Sequence, residues 1–262
     1  MGVLKAYFDD STDGTASQAC ALAGYVGTVE SWQTFEPLWQ AALDRNQAPY
    51  FHMKELGDPT SELGKKFGGK DNEIPRRKFF GDLINAIGQS GLMGFGSIIR
   101  ISDLAAFNNQ NGLKLQPMAF CIFACLNDIY ITFPNEKLEL ELDGFNKACS
   151  QAAEARRIAE THVHDDVSQN TKIGVLGGNG PFNFKNVLGV QAADFLVWEV
   201  LKYNYDRDLD REAAPVRRKS YELLCDACDI KGSVWTYKLL NWLHEARSGS
   251  WPSELKLRAR SS

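Results

Sequence analysis

The fold starts from the stretch Leu4-Lys5-Ala6-Tyr7-Phe8-Asp9, in which apolar residues alternate with Lys5, Tyr7 and Asp9. This period of two predicts a β-strand that ends at Asp9. The turn-forming sequence Ser-Thr-Asp-Gly follows at residues 11–14, and residues 19–26 form a second apolar segment. We therefore expect a hairpin of two strands at the start of the chain.

The rest of the chain alternates between helical and strand patterns. Residues 57–72 are rich in Gly, Lys, Asp and Pro, which indicates a loop or a short helix. The interleaving predicts one α/β domain over residues 1–262, with a core to about residue 205 and a helical extension over about 206–250. Strands are predicted over residues 92–101, 137–143 and 173–176, and helices over 29–43, 76–87, 118–133, 147–162, 187–203 and around Tyr221 and Trp242.

Composition favours a soluble cytoplasmic protein without a membrane partner. The chain is 44% hydrophobic and 24% charged, with a net charge of −4 that argues against a broad basic surface. Charges at Lys5, Asp9 and Asp10 exclude an apolar signal segment there. The most apolar run, residues 118–126, is too short to cross a bilayer and predicts a buried helix. Six scattered cysteines are typical of reduced thiols.

Four acidic residues occupy positions that would suit a catalytic or metal-binding role. Asp9 and Asp143 end predicted strands, and the carboxyl ends of strands line the ligand crevice of open α/β sheets. Taken alone, each is also an ordinary strand exit, and Glu55 in Phe51-His52-Met53-Lys54-Glu55-Leu56 could be a solvated residue of a first helical turn. Asp194 is harder to explain as structure, because the predicted helix around it is apolar and a buried charge is costly unless it is paired or metal-bound.

Four short motifs resemble, in order, those of the domain of unknown function 3800 family. They cover roughly three quarters of the chain, from Tyr7 to Tyr203. Asp10 stands where that family usually has Glu, and Thr12 where it has Gly, which disfavours a positive φ in the turn. The motifs are Asp9-Asp10-Ser11-Thr12-Asp13 for AspGluSerGlyAsp, His52-Met53-Lys54-Glu55-Leu56 for HisPheLysGluLeu, residues 140–143 for a strand ending in Asp, and Gln191-Ala192-Ala193-Asp194-Phe195-Leu196 for GlnLeuAlaAspLeuLeu.

The resemblance implies a ribonuclease H-like fold and a set of metal-binding, catalytic carboxylates. In-line hydrolysis of a phosphodiester uses two divalent ions, and Mg²⁺ or Mn²⁺ prefers oxygen ligands. The implied function is a metal-dependent nuclease acting on RNA or DNA. The alternative is a non-catalytic nucleic-acid- or protein-binding module on the same fold. The implied ligands are Asp9, which would bridge the ions, Glu55, Asp143 and Asp194, with Asp10 as a further candidate.

Several other signals favour structural interpretations. Cys225 and Cys228 form a single CxxC pair without a second pair to complete a zinc site. The glycines of residues 174–180 lack the Lys and Ser or Thr of a phosphate loop. His162 and His164, with His52, would suit a zinc hydrolase, although a solvated helix end explains the first two more simply. We expect the residues of three basic clusters to be exposed helix charges, although the clusters could instead follow a nucleic-acid backbone. The clusters are Lys65-Lys66, Arg76-Arg77-Lys78 and Arg217-Arg218-Lys219.

Overall fold

A single mixed sheet organises the protein. The structure, a computed structural model, describes residues 2–12, 18–143, 171–176, 186–205 and 218–247. The sheet has the strand order β5-β4-β1-β2-β3-β6. β1, β2 and β3 are successively antiparallel, whereas β4 runs parallel to β1, β5 to β4 and β6 to β3. The strands of these ranges are β1 (Val3–Thr12), β2 (Ala19–Thr28), β3 (Met93–Arg100), β4 (Lys137–Asp143), β5 (Thr171–Leu176) and β6 (Ile230–Trp235).

Helices cover both faces of this sheet, which confirms the α/β class. Most predicted helices are present, α3 lies in the segment predicted as a loop or short helix, and α5 was not predicted. The helix predicted over residues 147–162 lies outside the described residues. Within the described ranges the helices are α1 (Val29–Arg45), α2 (Met53–Leu56), α3 (Glu62–Phe67), α4 (Glu73–Ser90), α5 (Ile101–Asn111), α6 (Pro117–Thr132), α7 (Leu188–Tyr205), α8 (Lys219–Ala227) and α9 (Tyr237–Arg247).

The alternation in β1 separates two hydrophobic cores, one on each face of the sheet. Leu4, Ala6 and Phe8 are buried in the core that contains α6. Tyr7 points the other way and packs against the core formed with α1, α4 and α7. Because α6 is buried around most of its circumference, its strongly apolar sequence belongs to an interior helix. None of the helices in the described residues is long and apolar enough to span a membrane.

An aromatic cluster fixes the segment between α1 and α2. The ring of Phe51 is fully buried and contacts those of Trp39, Phe79 and Phe195. Aromatic pairs at these centroid separations contribute beyond the area that they bury. Phe51 therefore anchors the short segment that leads into α2 against α1, α4 and α7.

The first strand is longer than the sequence pattern predicts. Asp9 does not end β1, because the antiparallel ladder with β2 continues through Asp10 and Ser11 to the pair Thr12 and Cys20. The prediction placed a turn at residues 11–14, where Ser and Thr are common. Partner groups on β2 satisfy the backbone of these residues, so the strand continues past the acid.

A strand that the sequence pattern did not predict lies in the C-terminal region. α8 and α9 correspond to the helices predicted around Tyr221 and Trp242, but β6 separates them and pairs with β3. A Cβ atom on Gly232 would lie 2.3 Å from the carbonyl oxygen of Gly96 on the neighbouring strand. Glycine at this position thus permits the close approach of β6 to β3.

Asp128 on α6 makes stability depend on pH. Burial raises the pKa of its carboxyl from 3.8 to about 6, while a hydrogen bond from Asn127 and the charge of Lys231 act in the opposite direction. Because the folded-state pKa lies above the ordinary value, the folded state favours the protonated acid. Stability from this group is therefore present below about pH 4 and is lost as pH rises through about 6.

We expect Asp128→Asn to remove this pH dependence. Two pKa units correspond to about 3 kcal/mol, so the variant should be up to that much more stable than the native chain at pH 8 and similar to it at pH 4. Urea unfolding at both pH values measures the difference. The exposed Asp71→Asn is the matched control and should change stability equally little at both. If the free energies of unfolding of Asp128→Asn and the native chain differed by the same amount at pH 4 and pH 8, Asp128 would not be the source of the pH dependence.

Candidate functional site

Two of the predicted acids occupy neighbouring positions on adjacent parallel strands. The register of β1 and β4 pairs Phe8 with Leu142, and Asp9 and Asp143 are the residues that follow this pair. Asp143 also ends β4, as predicted. Its side chain is outside the described part of the structure, so the juxtaposition concerns the backbone positions. Neighbouring parallel strands therefore bring one acid each to the same level of the sheet.

Asp9 lies on the face of the sheet that α7 covers. The alternation of β1 puts it on the same side as Tyr7, and its side chain is half-buried. Its Oδ1 accepts a hydrogen bond of 2.8 Å from the backbone N–H of Asp10. Asp10 itself is exposed. The two adjacent acids thus occupy different environments, and only Asp9 is positioned on the face that α7 covers.

Helix α7 carries Asp194 and packs closely on β1. A Cβ atom on Gly189 would lie 2.4 Å from Cδ2 of Tyr7, so only glycine fits the observed approach. Asp194 is half-buried, and its Oδ2 accepts a hydrogen bond of 2.6 Å from the backbone N–H of Met53. The carboxylate therefore satisfies the first residue of α2, and it joins α7 to the segment that carries Glu55.

Glu55 is held by two neighbouring side chains. Tyr50 donates a hydrogen bond from its hydroxyl to Oε2, and Nδ1 of His52 lies 3.4 Å from Oε1. The side chain of Glu55 is 25% exposed. Its backbone carbonyl accepts a 2.6 Å hydrogen bond from the hydroxyl of Ser61. Both the side chain and the main chain of this residue are therefore fixed by local contacts.

Gln191 is a site residue that sequence reasoning did not single out. It is fully buried, and its Oε1 accepts from the backbone N–H of Phe51 at 2.8 Å and from Nε1 of Trp39 at 3.2 Å. Gln191 and Asp194 lie one helical turn apart on α7. Gln191 binds the backbone N–H of Phe51, just before α2, and Asp194 binds that of Met53, the first residue of α2. The signal was an uncharged polar residue in an apolar stretch of the helix, one turn before Asp194.

Several acidic side chains lie near Tyr7 on this face of the sheet. Burial raises the pKa of Tyr7, and the charges of Glu36, Glu141 and Glu139 raise it further. Burial also raises the pKa of Glu141. The charges of Lys172 and Lys5 act in the opposite direction on Glu141, so acidic and basic side chains are mixed on this face.

The structure places Asp9 beside Asp143 in strand register and Asp194 against the segment that carries Glu55. Among the described residues, no group of three or more His, Cys, Asp or Glu side chains could hold a metal ion. Carboxylate oxygens are nevertheless the donors that Mg²⁺ and Mn²⁺ prefer, so the predicted set fits these ions in kind.

The remaining candidate motifs lie partly outside the described residues. His162 and His164, with residues 177–180 of the glycine-rich stretch, lie outside the described residues. Cys225 lies in α8 and Cys228 follows it, and both have free thiols. Burial raises the pKa of Cys228 to about 12, which disfavours the thiolate that zinc requires.

One residue of each basic cluster makes a structural contact. Arg218 donates to the fully buried Glu199, with Nε 2.9 Å from Oε2. Arg76 donates to the backbone carbonyl of Gly69, and Nζ of Lys66 to that of Gln47. The interpretation of Arg218 as an exposed helix charge is therefore wrong, because its guanidinium pairs with a carboxylate in the core.

Comparison of the chain with protein-family models, curated proteins and solved structures gave no match. The resemblance to the domain of unknown function 3800 family accordingly stays a prediction. The class of this protein, an α/β protein with a mixed six-stranded sheet, rests on the architecture alone.

Proposed function

We propose that the chain is a divalent-metal-dependent phosphodiester hydrolase, a nuclease of RNA or DNA with a ribonuclease H-like fold. The observation that carries the proposal is the adjacency of Asp9 and Asp143 in the register of two parallel strands, with the helix of Asp194 packed against β1. The mixed sheet supports the fold, because the antiparallel β1, β2 and β3 are followed by β4 parallel to β1 and β5 parallel to β4.

Four carboxylates would hold the metals. Asp9 would bridge two ions, and Glu55, Asp143 and Asp194 would complete their coordination. When bound, the ions would polarise the attacking water and stabilise the leaving oxygen of the phosphodiester. Bound cations would reverse the local charge, which would allow an acidic chain to act on nucleic acid.

The contribution of this chain is to fix the carboxylates before the substrate binds. Asp9 is half-buried on a central strand, and its Oδ1 accepts from the next backbone N–H. Asp194 is fixed by the N–H of Met53, and Glu55 by Tyr50 and His52. Ligands held by such contacts need little rearrangement when they bind an ion.

Cleavage assays with Mg²⁺ or Mn²⁺ on RNA, DNA and RNA–DNA hybrids test this proposal. Asp9→Asn and Asp194→Asn should each lower the cleavage rate by at least about 100-fold, because a neutral amide binds divalent ions poorly. In Asp194→Asn the amide oxygen of the new side chain can still accept from Met53, which separates the loss of charge from the loss of the hydrogen bond. Asp71→Asn is the exposed control. Cleavage that survives both site variants would overturn the assignment.

Two contacts favour a second candidate, a non-catalytic nucleic-acid- or protein-binding module. Asp194 satisfies the N–H of Met53, and both oxygens of Glu55 have side-chain neighbours, so these acids have structural roles without any ion. Such a module would show no stoichiometric binding of Mn²⁺ that depends on the four acids. The nuclease, in contrast, requires such binding. Isothermal titration separates the two candidates.

A further inference from the structure

We infer that Tyr50 is a positioning residue of the proposed metal site and acts through Glu55. This inference rests on the proposed function, and it extends that function to a residue outside the four carboxylates. Its geometrical basis is the hydrogen bond that the Tyr50 hydroxyl donates to Oε2 of Glu55. A donor on one carboxylate oxygen restricts the rotation of the group and directs the remaining lone pairs.

The phenol ring of Tyr50 is itself held in place. It is half-buried and packs against the core on the α7 face of the sheet. The next residue, Phe51, has a buried ring and a backbone N–H that donates to Gln191. The hydroxyl therefore projects from a fixed support, which a positioning group needs and a mobile surface tyrosine would lack.

The main chain that carries Glu55 is held by separate contacts. Asp194 accepts from the N–H of Met53, and the hydroxyl of Ser61 donates to the carbonyl of Glu55 at 2.6 Å. Removing the Tyr50 hydroxyl thus leaves the backbone in place and removes one of the two side-chain contacts of the Glu55 carboxylate, while His52 stays beside Oε1. The expected consequence is weaker metal binding in a chain that remains folded.

Titration of Mn²⁺ into Tyr50→Phe tests the inference. The substitution keeps the ring and removes the hydroxyl, and we expect the dissociation constant to rise about 10-fold while the urea midpoint stays the same. Tyr237→Phe is the matched control, because Tyr237 also donates its hydroxyl to a side-chain oxygen, that of Gln110, at a distant and exposed position. The dissociation constant of Tyr237→Phe for Mn²⁺ should equal that of the native chain.

A double-variant cycle identifies the residue through which Tyr50 acts. In the Glu55→Gln background, Tyr50→Phe should have no further effect on Mn²⁺ binding, because the carboxylate that it orients is absent. Equal effects in both backgrounds, or native-like binding by Tyr50→Phe, would overturn the inference and leave the proposed function standing. No stoichiometric Mn²⁺ binding by the native chain would instead overturn the proposed function and the inference together.

Discussion

Replacing Gln191 by Met should lower the free energy of unfolding by about 4 kcal/mol, because two buried donors lose their acceptor. The backbone N–H of Phe51 and the indole N–H of Trp39 both bind Oε1 of this side chain. Met keeps the length of the side chain and its apolar stem, so the loss reports the hydrogen bonds more than the packing. Urea unfolding measures it.

The same substitution should loosen the segment that carries Glu55. Hydrogen exchange at the Phe51 amide should become faster before exchange in the sheet does, since its bond to α7 is gone. Gln89→Met is the control, because Gln89 is exposed and its amide bonds only to Asn85 one helical turn away. That control should stay within about 0.5 kcal/mol of the native chain. Equal stability of the two variants would show that Gln191 is not the anchor of this segment.

Replacing Arg218 by Met should lower the free energy of unfolding by about 3–5 kcal/mol, because Glu199 would remain buried without a counterion. The carboxylate of Glu199 is fully buried, whereas the Arg218 side chain is 28% exposed. Its guanidinium makes two contacts with Glu199, at 2.9 and 3.4 Å, and stacks over the ring of Trp198 at 4.4 Å from its centroid.

A second ion pair provides the matched control for Arg218→Met. Arg45 lies 3.6 Å from Asp82 with its side chain 52% exposed, so Arg45→Met should cost less than about 1 kcal/mol. The double variant Glu199→Leu with Arg218→Met should recover most of the lost stability, because no uncompensated charge remains. If the double variant were as unstable as the single one, packing of Arg218 on Trp198 would be the cause instead.

Local patterns predicted most of the framework. The period of two placed β1 and β4, and helical patterns placed α1, α4 and α7. The apolar segment after the turn sequence placed β2, and the most apolar run placed α6. β6 was missed because a six-residue strand has a weak signal of its own. It depends on the edge of β3, where Gly96 and Gly232 allow close approach. The end of β1 was misplaced for a similar reason, since only the partner strand shows that the ladder continues past Asp9.

The candidate site was partly predictable. Asp194 was identified because a charge is unusual in an apolar helix, and the same reasoning applied to Glu199 would have predicted its buried ion pair. The partners were not predictable. The contact from Asp194 to Met53 joins residues 141 positions apart, and the one from Gln191 to Phe51 joins residues 140 apart. No local periodicity encodes such pairs.

Isothermal titration of Mn²⁺ into the native chain and into Asp9→Asn tests the central claim most directly. The claim is that the acids near β1, β4 and α7 form one site for divalent ions. It predicts stoichiometric binding of about two ions to the native chain, binding that is lost or strongly weakened in Asp9→Asn and retained in Asp71→Asn. Equal binding isotherms for the native chain and Asp9→Asn, or no stoichiometric binding by either, would contradict it.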